Sequence, residues 1–202
     1  MPALSAVRMQ DLSKSLSLYA VLSAVLAVCA APAPAAPPQK ASIESLRDGQ
    51  HDFDWEFGAW ATNVRVLRNP LSDNAPNWAE YSGTSAVRPV VGGRFNLVEL
   101  AVGGTTGNIE GASLRLYNPQ THAWSLNYAN VRSGMLTAPV TGAFDGHGRG
   151  VFYGEDRLDG RPIQVRFIIT TVSNSEARFE QAYSADDGLT WQDNWLAVDI
   201  RR

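Results

Sequence analysis

Glu99 is the residue whose type and position most favour chemistry. It lies in the stretch GRFNLVELAV, where Phe95 and Leu97 share its face if the stretch is a β-strand, because alternate strand residues point to the same side. A carboxylate among apolar side chains is costly unless it finds a partner. Glu99 is therefore either a structural ion pair with an arginine of a neighbouring strand, or a polar anchor or acid/base with a raised pKa in a ligand cavity.

Aromatic and amide side chains at comparable positions extend this candidate site. In a small barrel that holds a ligand, the more apolar face of each strand is expected to point inward. The candidate ligand-binding residues that this rule selects are Trp60, Tyr81, Glu99, Trp124, Tyr128, Phe167, Gln181 and Tyr183.

The same rule assigns a face to most other strand residues. It turns inward Val64, Val66, Val87, Phe95, Leu97, Leu114, Leu116, Leu126, Val165, Ile169 and Phe179. The last strand stays undecided between two apolar faces, which are Trp191 with Trp195, and Leu196 with Val198 and Ile200. Arg115, Arg166 and Glu180 have the opposite parity, and they become the interior network if the assignment of faces is inverted.

Metal and nucleophilic chemistry have little support in the sequence. His51 precedes the first strand, and His122 and His147 stand in expected turns. They lack the spacing of a zinc site, and no Gly-x-Ser-x-Gly elbow accompanies them. The sequence therefore predicts no metal and no cofactor.

Residues 1–36 are predicted to be a signal peptide. A basic start precedes an apolar run, and the APA stretch at 31–33 fits the Ala-x-Ala pattern of a secretory cleavage site. The run is short for a stable membrane span, which needs about 20 apolar residues. Cys29 follows a sequence like a lipoprotein lipobox, but Val28 stands where a small residue is normal. The predicted location is periplasmic or secreted, with a lipid anchor at Cys29 less favoured.

The charge of the chain bears on its partners. The formal net charge is −3, which argues against binding nucleic acid because phosphate contacts need a basic face. The expected partner is a small apolar or aromatic molecule. The oligomeric state is left open, with a homodimer as one option.

After residue 52, stretches rich in β-branched and aromatic residues alternate with turn signals. About ten such stretches can be counted, and hairpin signals such as Asp159-Gly160 separate them. Sequential hairpins make neighbouring antiparallel strands, whose outer edges stay exposed unless the sheet closes. Residues 53–202 are therefore predicted to form an all-β, up-and-down antiparallel barrel of about ten strands, with a β-sandwich as the alternative. Residues 37–52 are predicted to be a linker with a short helix or turn.

The stretch SADDGLTW, residues 184–191, resembles the Asp-box of sialidases and other glycan-handling β-propellers. A propeller has one such box per blade, whereas this chain has a single box and about ten strands. The box itself needs only a hairpin, in which Ser184 and Asp186 bind turn amides, Gly188 takes a positive φ and Trp191 packs below. The sequence therefore predicts a structural turn with no role in sugar binding.

The start of the first strand, EFGAW with Gly58 and Trp60, resembles the Gly-x-Trp start of lipocalin-like barrels. Residues 109–130 and 176–200 are similar to an uncharacterised family of secreted bacterial proteins in the lipocalin-like (calycin) group. The resemblance covers roughly residues 44–201 and implies a barrel with a central cavity, without implying a reaction. The related nitrobindin barrels bind haem through an inward histidine on a strand, and no histidine here has such a position, so haem is not expected.

Three hypotheses for the function remain. The first is an exported barrel that binds a small hydrophobic molecule without a fixed cofactor. The second is a cofactor-independent isomerase, lyase or hydrolase with Glu99 as general base and Tyr81 or Tyr183 as acid. The third is a structural or interaction module whose barrel is plugged by its own side chains. A cavity of a few hundred Å³ would separate the first two from the third.

Overall fold

The computed structural model of the chain describes residues 47–202, so the predicted signal peptide and most of the predicted linker lie outside the described residues. Residues 47–52 form coil and turn, and a single turn of 3-10 helix follows at Asp54–Glu56. The strands of the described part are β1 (Gly58–Leu67), β2 (Trp78–Val90), β3 (Phe95–Gly104), β4 (Gly107–Asn118), β5 (Ala123–Asn130), β6 (Met135–Leu136), β7 (Val140–Phe144), β8 (Arg149–Leu158), β9 (Arg161–Ser173), β10 (Glu176–Ser184) and β11 (Gln192–Arg201).

Ten of these strands form one closed antiparallel barrel. Their order around the ring is β4-β3-β2-β1-β11-β10-β9-β8-β7-β5, and β4 pairs with β5 to complete it. The two-residue strand β6 pairs with the end of β5 and stands apart from the ring. The predicted all-β antiparallel barrel of about ten strands is confirmed.

Aromatic side chains close one end of the barrel. Phe53 is fully buried, and its ring packs edge-on against Trp124 and Phe144 with centroid distances of 4.9 Å in both cases. The indole of Trp124 also donates a hydrogen bond of 2.9 Å to the carbonyl of Gly49. The segment before β1 is thus folded into this end of the barrel, where it fills the space between the strands.

Arg201 on β11 holds the 3-10 turn at Asp54–Glu56 in place. Its guanidinium donates to the carbonyl of Phe57 at 2.9 Å and to the carbonyl of Trp55, and it lies 4.2 Å from the ring centroid of Trp60. Trp60 in turn donates its indole N–H to the carbonyl of Glu56 at 2.7 Å. Because the backbone on both sides of Glu56 is held, the side chain of Glu56 is presented to the barrel interior in one position.

The SADDGLTW stretch is the structural turn that the sequence predicts. The Ser184 hydroxyl accepts a hydrogen bond of 2.9 Å from the amide of Gly188, which has a φ of 83°. The carboxylate of Asp186 accepts from both the amide and the hydroxyl of Thr190, at 2.9 and 2.6 Å. The indole of Trp191 donates back to the carbonyl of Gly188 at 3.0 Å. These hydrogen bonds hold the turn between β10 and β11 closed on itself.

Candidate functional site

Cross-strand register decides which side chains face the interior. Val87 on β2 is 4% exposed and pairs directly with Val98 on β3, and residues directly opposite in an antiparallel pair share a face. Val98 and Leu100 therefore face the interior, and on β4 so do Ser113 and Arg115. The predicted inward positions on β3 and β4 are therefore wrong for Phe95, Leu97, Glu99, Leu114 and Leu116. The prediction turned the more apolar face of each strand inward, whereas the structure buries the other face, which carries Asn96 and Arg115.

Glu99 lies on the outer face of the barrel. Its side chain is 60% exposed, and its Oε2 is 4.0 Å from the Nε of Arg88 on the neighbouring strand β2. Of the two interpretations drawn from the sequence, the structure shows the cross-strand ion pair, and it is an exposed one. Glu99 is thus neither an anchor nor an acid/base in the cavity.

The other predicted site residues all face the barrel interior, but only some of them line a cavity. Four of them line a cavity: Tyr128, Phe167, Gln181 and Tyr183. Three more are inward and no more than 6% exposed, but they fill the barrel outside the cavity: Trp60, Tyr81 and Trp124. Tyr81, for example, has its hydroxyl 2.7 Å from the Thr106 hydroxyl. Contact of any of these residues with a ligand stays a prediction.

The two tryptophans near the last strand, Trp191 and Trp195, lie on different faces of the barrel wall. Trp195 lines the cavity. Trp191 precedes β11 and packs outside, where the guanidinium of Arg166 lies 4.6 Å from its ring centroid and Tyr153 is a further neighbour. An irregularity in the pairing of β10 with β11 separates the two positions, so simple alternation between them does not hold.

The interior cavity has a volume of about 340 Å³. This is at the lower end of the range of about 300–1,000 Å³ that is usual for small-molecule sites. Its wall is formed by apolar side chains from many strands, which are Val64, Val98, Leu100, Leu126, Val140, Val165, Phe167, Phe179, Trp195 and Ala197. The barrel is therefore not plugged by its own side chains, contrary to the third hypothesis.

A buried ion pair forms part of the cavity floor. The carboxylate of Glu56 accepts from both terminal nitrogens of the Arg115 guanidinium, with 3.2 Å between Nη2 and Oε1. Both side chains are almost fully buried, and the guanidinium also lies 4.2 Å from the ring centroid of Phe53. A carboxylate that accepts from two guanidinium nitrogens is the strong form of this contact, and it pairs the charge of Arg115 with that of Glu56.

Asp199 on β11 is the second charged group of the floor. It is 5% exposed, and the Ser85 hydroxyl donates to its Oδ2 at 3.3 Å. Burial first, and then the charge of Glu56, raise the pKa of Asp199 from 3.8 to a net value of about 6, whereas the hydroxyls of Thr62 and Ser85 and the charge of Arg115 act against this. Asp199, and not Glu99 as one interpretation of the sequence predicted, is thus the cavity carboxylate that changes its charge near pH 6.

Several polar atoms that line the cavity have no hydrogen-bond partner within residues 47–202. Among the described residues, the Oδ1 of Asp199, the Nε of Arg115 and the hydroxyl of Tyr128 are buried and make no hydrogen bond. All three residues line the cavity. Buried polar groups are nearly always satisfied by protein, water or ligand, so the cavity offers hydrogen-bonding sites that a polar end of a ligand can fill.

The opening of the cavity lies beside the short strand β7. Four lining residues are exposed, and they belong to two segments: Thr137 and Ala138 before β7, and Glu155 and Asp156 near the end of β8. β7 shares three residue pairs with β5 and four with β8, so it covers little of the wall there. We therefore assign the mouth to this side of the barrel.

The most important floor residues were missed by reasoning from sequence. Glu56 lies before the first strand, Arg115 was assigned to the outer face, and Asp199 lies on the strand whose facing was undecided. One signal was available for Arg115. Once Val87 is taken as inward, the hairpins that join β2, β3 and β4 carry the same face to Val98 and then to Arg115.

Within residues 47–202 there is no group of three or more His, Cys, Asp or Glu side chains arranged to hold a metal ion. None of the described lining residues is a histidine. In the same part of the chain, no helix has the length and apolarity needed to cross a membrane.

The fold and the cavity define a closed ten-stranded antiparallel barrel with an internal small-molecule-sized cavity. Designed barrels are among the solved structures similar to it. EF1p2_mFAP2b bound to DFHBI matches with a TM-score of 0.42 and 10% identity over 76% of this chain and 99% of that one. The redesigned barrel mFAP0 bound to DFHBI gives 0.40 and 13% over 73% and 99%, and a fluorescence-activating β-barrel of de novo design gives 0.39 and 13% over 78% and 100%. No family model and no curated protein matches the chain.

Proposed function

We propose that the protein binds a small, largely apolar or aromatic molecule in its barrel cavity, without a fixed cofactor. The observation that carries this proposal is the open cavity of about 340 Å³, with apolar walls and unpartnered polar atoms at its floor. Apolar walls supply affinity, and a few convergent polar groups orient the ligand. An export signal in residues 1–36 is part of the same proposal and would place the binding site in the periplasm or outside the cell.

Native mass spectrometry of the protein purified gently from its own cells tests the proposal directly. A mass excess that disappears on denaturation is expected, and its value identifies the bound molecule. The bare polypeptide mass in both samples, together with no binding of added apolar probes, would contradict the proposal.

Filling the cavity should weaken binding while the protein still folds. Ala197 lines the cavity on β11, and Ala197→Leu extends a side chain into that space. We expect the affinity for an aromatic probe to fall at least tenfold, and the extra atoms to cost about 1–3 kcal/mol of folding free energy at most. Probe titration monitored by intrinsic tryptophan fluorescence, to which the cavity residue Trp195 contributes, measures the effect.

The neighbouring residue supplies a matched control. Val198 is 36% exposed on the opposite face of the same strand, so Val198→Phe adds an apolar group of comparable size outside the barrel. This variant should bind the probe as the unsubstituted protein does. Equal loss of binding in both variants would place the probe somewhere other than in the cavity.

A second candidate function, catalysis without a cofactor, is favoured by one observation. Asp199 is a buried cavity carboxylate whose pKa is raised to about 6, in the range suited to a general acid or base. Once the bound molecule is identified, its conversion can be followed with the unsubstituted protein and with Asp199→Asn. Turnover that is lost in Asp199→Asn would favour the enzyme, and a ligand recovered unchanged from both proteins would favour the binding protein.

A further inference from the structure

More acidic than basic side chains line the cavity. Arg115 is the single basic residue among the described lining residues, and it faces four carboxylates: Glu56, Glu155, Asp156 and Asp199. Both oxygens of Glu56 accept from the guanidinium of Arg115, so these two charges cancel at the floor. The charges that remain for a ligand are negative, and they lie at both ends of the cavity.

At the floor, Asp199 has an acceptor to spare. Its Oδ2 accepts one hydrogen bond, from Ser85 at 3.3 Å, while its Oδ1 has no partner among the described residues although the side chain is 5% exposed. A buried acceptor without a donor costs free energy. A ligand group that donates hydrogen bonds would satisfy Oδ1, whereas a ligand carboxylate would add a second acceptor and a like charge.

At the mouth, Glu155 and Asp156 carry unmatched charge. Within residues 47–202, no arginine, lysine or histidine side chain lies within 4.0 Å of either carboxylate. Carboxylates at the opening of a low-dielectric cavity focus the field and attract cations while repelling anions. The mouth therefore selects for the same sign of charge as the floor.

We propose that the ligand is an organic amine: an apolar or aromatic body with a protonated nitrogen that donates hydrogen bonds to Asp199. The inference rests on the proposed function and specifies the ligand class for the same cavity. The apolar wall holds the body of the molecule, and the charge-assisted contact with Asp199 offsets the loss of hydration of the ammonium group. Anionic amphiphiles such as fatty acids are disfavoured, because the charge of Arg115 is paired with Glu56 and its unpartnered Nε is a single donor beside the carboxylates of Glu56 and Asp199.

Three probes with one apolar body and different head groups test the inference. They are 1-naphthylmethylamine, 1-naphthalenemethanol and 1-naphthoic acid, titrated calorimetrically into the purified protein at pH 7.5. The amine is expected to bind about tenfold more tightly than the alcohol, because charge-assisted hydrogen bonds are stronger than neutral ones. The acid is expected to bind more weakly than the alcohol. An acid that binds as tightly as the amine overturns the inference while supporting the proposed function.

Substitutions then show which residues cause the preference for the amine. Asp199→Asn keeps the size of the side chain and should reduce the advantage of the amine over the alcohol to about one, while the alcohol still binds. The double variant Glu155→Gln with Asp156→Asn should slow association of the amine and weaken its salt dependence. Glu99→Gln removes a carboxylate from the outer face, where the side chain is 60% exposed, and should leave all three affinities unchanged.

Failure of the inference and failure of the proposed function give different results. An unchanged ratio of amine to alcohol affinity in Asp199→Asn overturns the inference, and the head group is then read elsewhere. Failure of all three probes to bind, together with no bound molecule in native mass spectra, overturns the proposed function and the inference with it.

Discussion

Asp199→Asn should make the protein more stable at neutral pH. Burial raises the pKa of Asp199 from 3.8 to about 6, so the folded state holds the proton more tightly than the unfolded chain does. Below about pH 4 the group is protonated in both states and costs nothing; the cost of its charge develops as the pH rises and is complete above about pH 6. A shift of about two units corresponds to about 3 kcal/mol, which the isosteric amide should recover at pH 7–8.

Urea unfolding at several pH values between 4 and 8 measures this effect. The free energy of unfolding of the unsubstituted protein should fall relative to that of Asp199→Asn as the pH rises through 6, and the two curves should meet near pH 4. Asp186→Asn is the control, because hydrogen bonds from Thr190 lower the pKa of Asp186 to about 2 and its contribution is constant over this window. Parallel curves for Asp199→Asn and the unsubstituted protein would contradict the assignment of Asp199 as a buried, titrating group.

Breaking the Glu56–Arg115 pair should be strongly destabilising, whereas replacing both residues should not. Each side chain is almost fully buried, so removing one partner leaves a charge without compensation, at a cost of roughly 3–5 kcal/mol. Arg115→Met should cost more than Glu56→Leu, because it leaves the carboxylates of Glu56 and Asp199 together without a cation. In Glu56→Leu, Asp199 remains as an acceptor near Arg115.

The double variant Glu56→Leu with Arg115→Met completes the cycle. Apolar side chains of similar size in place of a buried pair are often neutral or stabilising, so the double variant should be more stable than either single variant. Chemical denaturation midpoints at pH 7 measure all four proteins. Glu99→Gln, which breaks an exposed pair with Arg88, should change the stability by less than about 0.5 kcal/mol. A double variant as unstable as the sum of the single ones would show that the two residues act independently.

The architecture follows from local signals, and for that reason it could be predicted. Turn sequences such as Asp159-Gly160 mark the ends of strands, and closure follows from the need to cover the edges of a long antiparallel sheet. The inward positions of Tyr128, Phe167 and Gln181 follow from alternation within one strand. Strand ends depend on residues that are neighbours in the sequence, and the facing of a side chain on a strand depends on the two-residue alternation of that strand.

The floor of the cavity depends instead on contacts between distant residues. Arg115 is inside because Glu56, 59 residues earlier in the chain, neutralises it there. A rule that sends charged residues outward places Arg115 outside and Leu114 inside, and it has no means of finding the partner. Glu99 shows the converse error, because apolar neighbours on its own strand made a solvent-exposed carboxylate look interior.

The pairing of β1 with β11 has a consequence for how the chain reaches this state. Seven residue pairs, from Trp60 with Arg201 to Val66 with Trp195, join the first strand to the last. During synthesis this edge of β1 has no partner until residues 192–201 emerge, and loop-closure entropy opposes a contact of such long sequence separation. Folding should therefore be slow and limited by this last pairing, and a chain that lost its final strand would keep two unpaired edges and a tendency to aggregate.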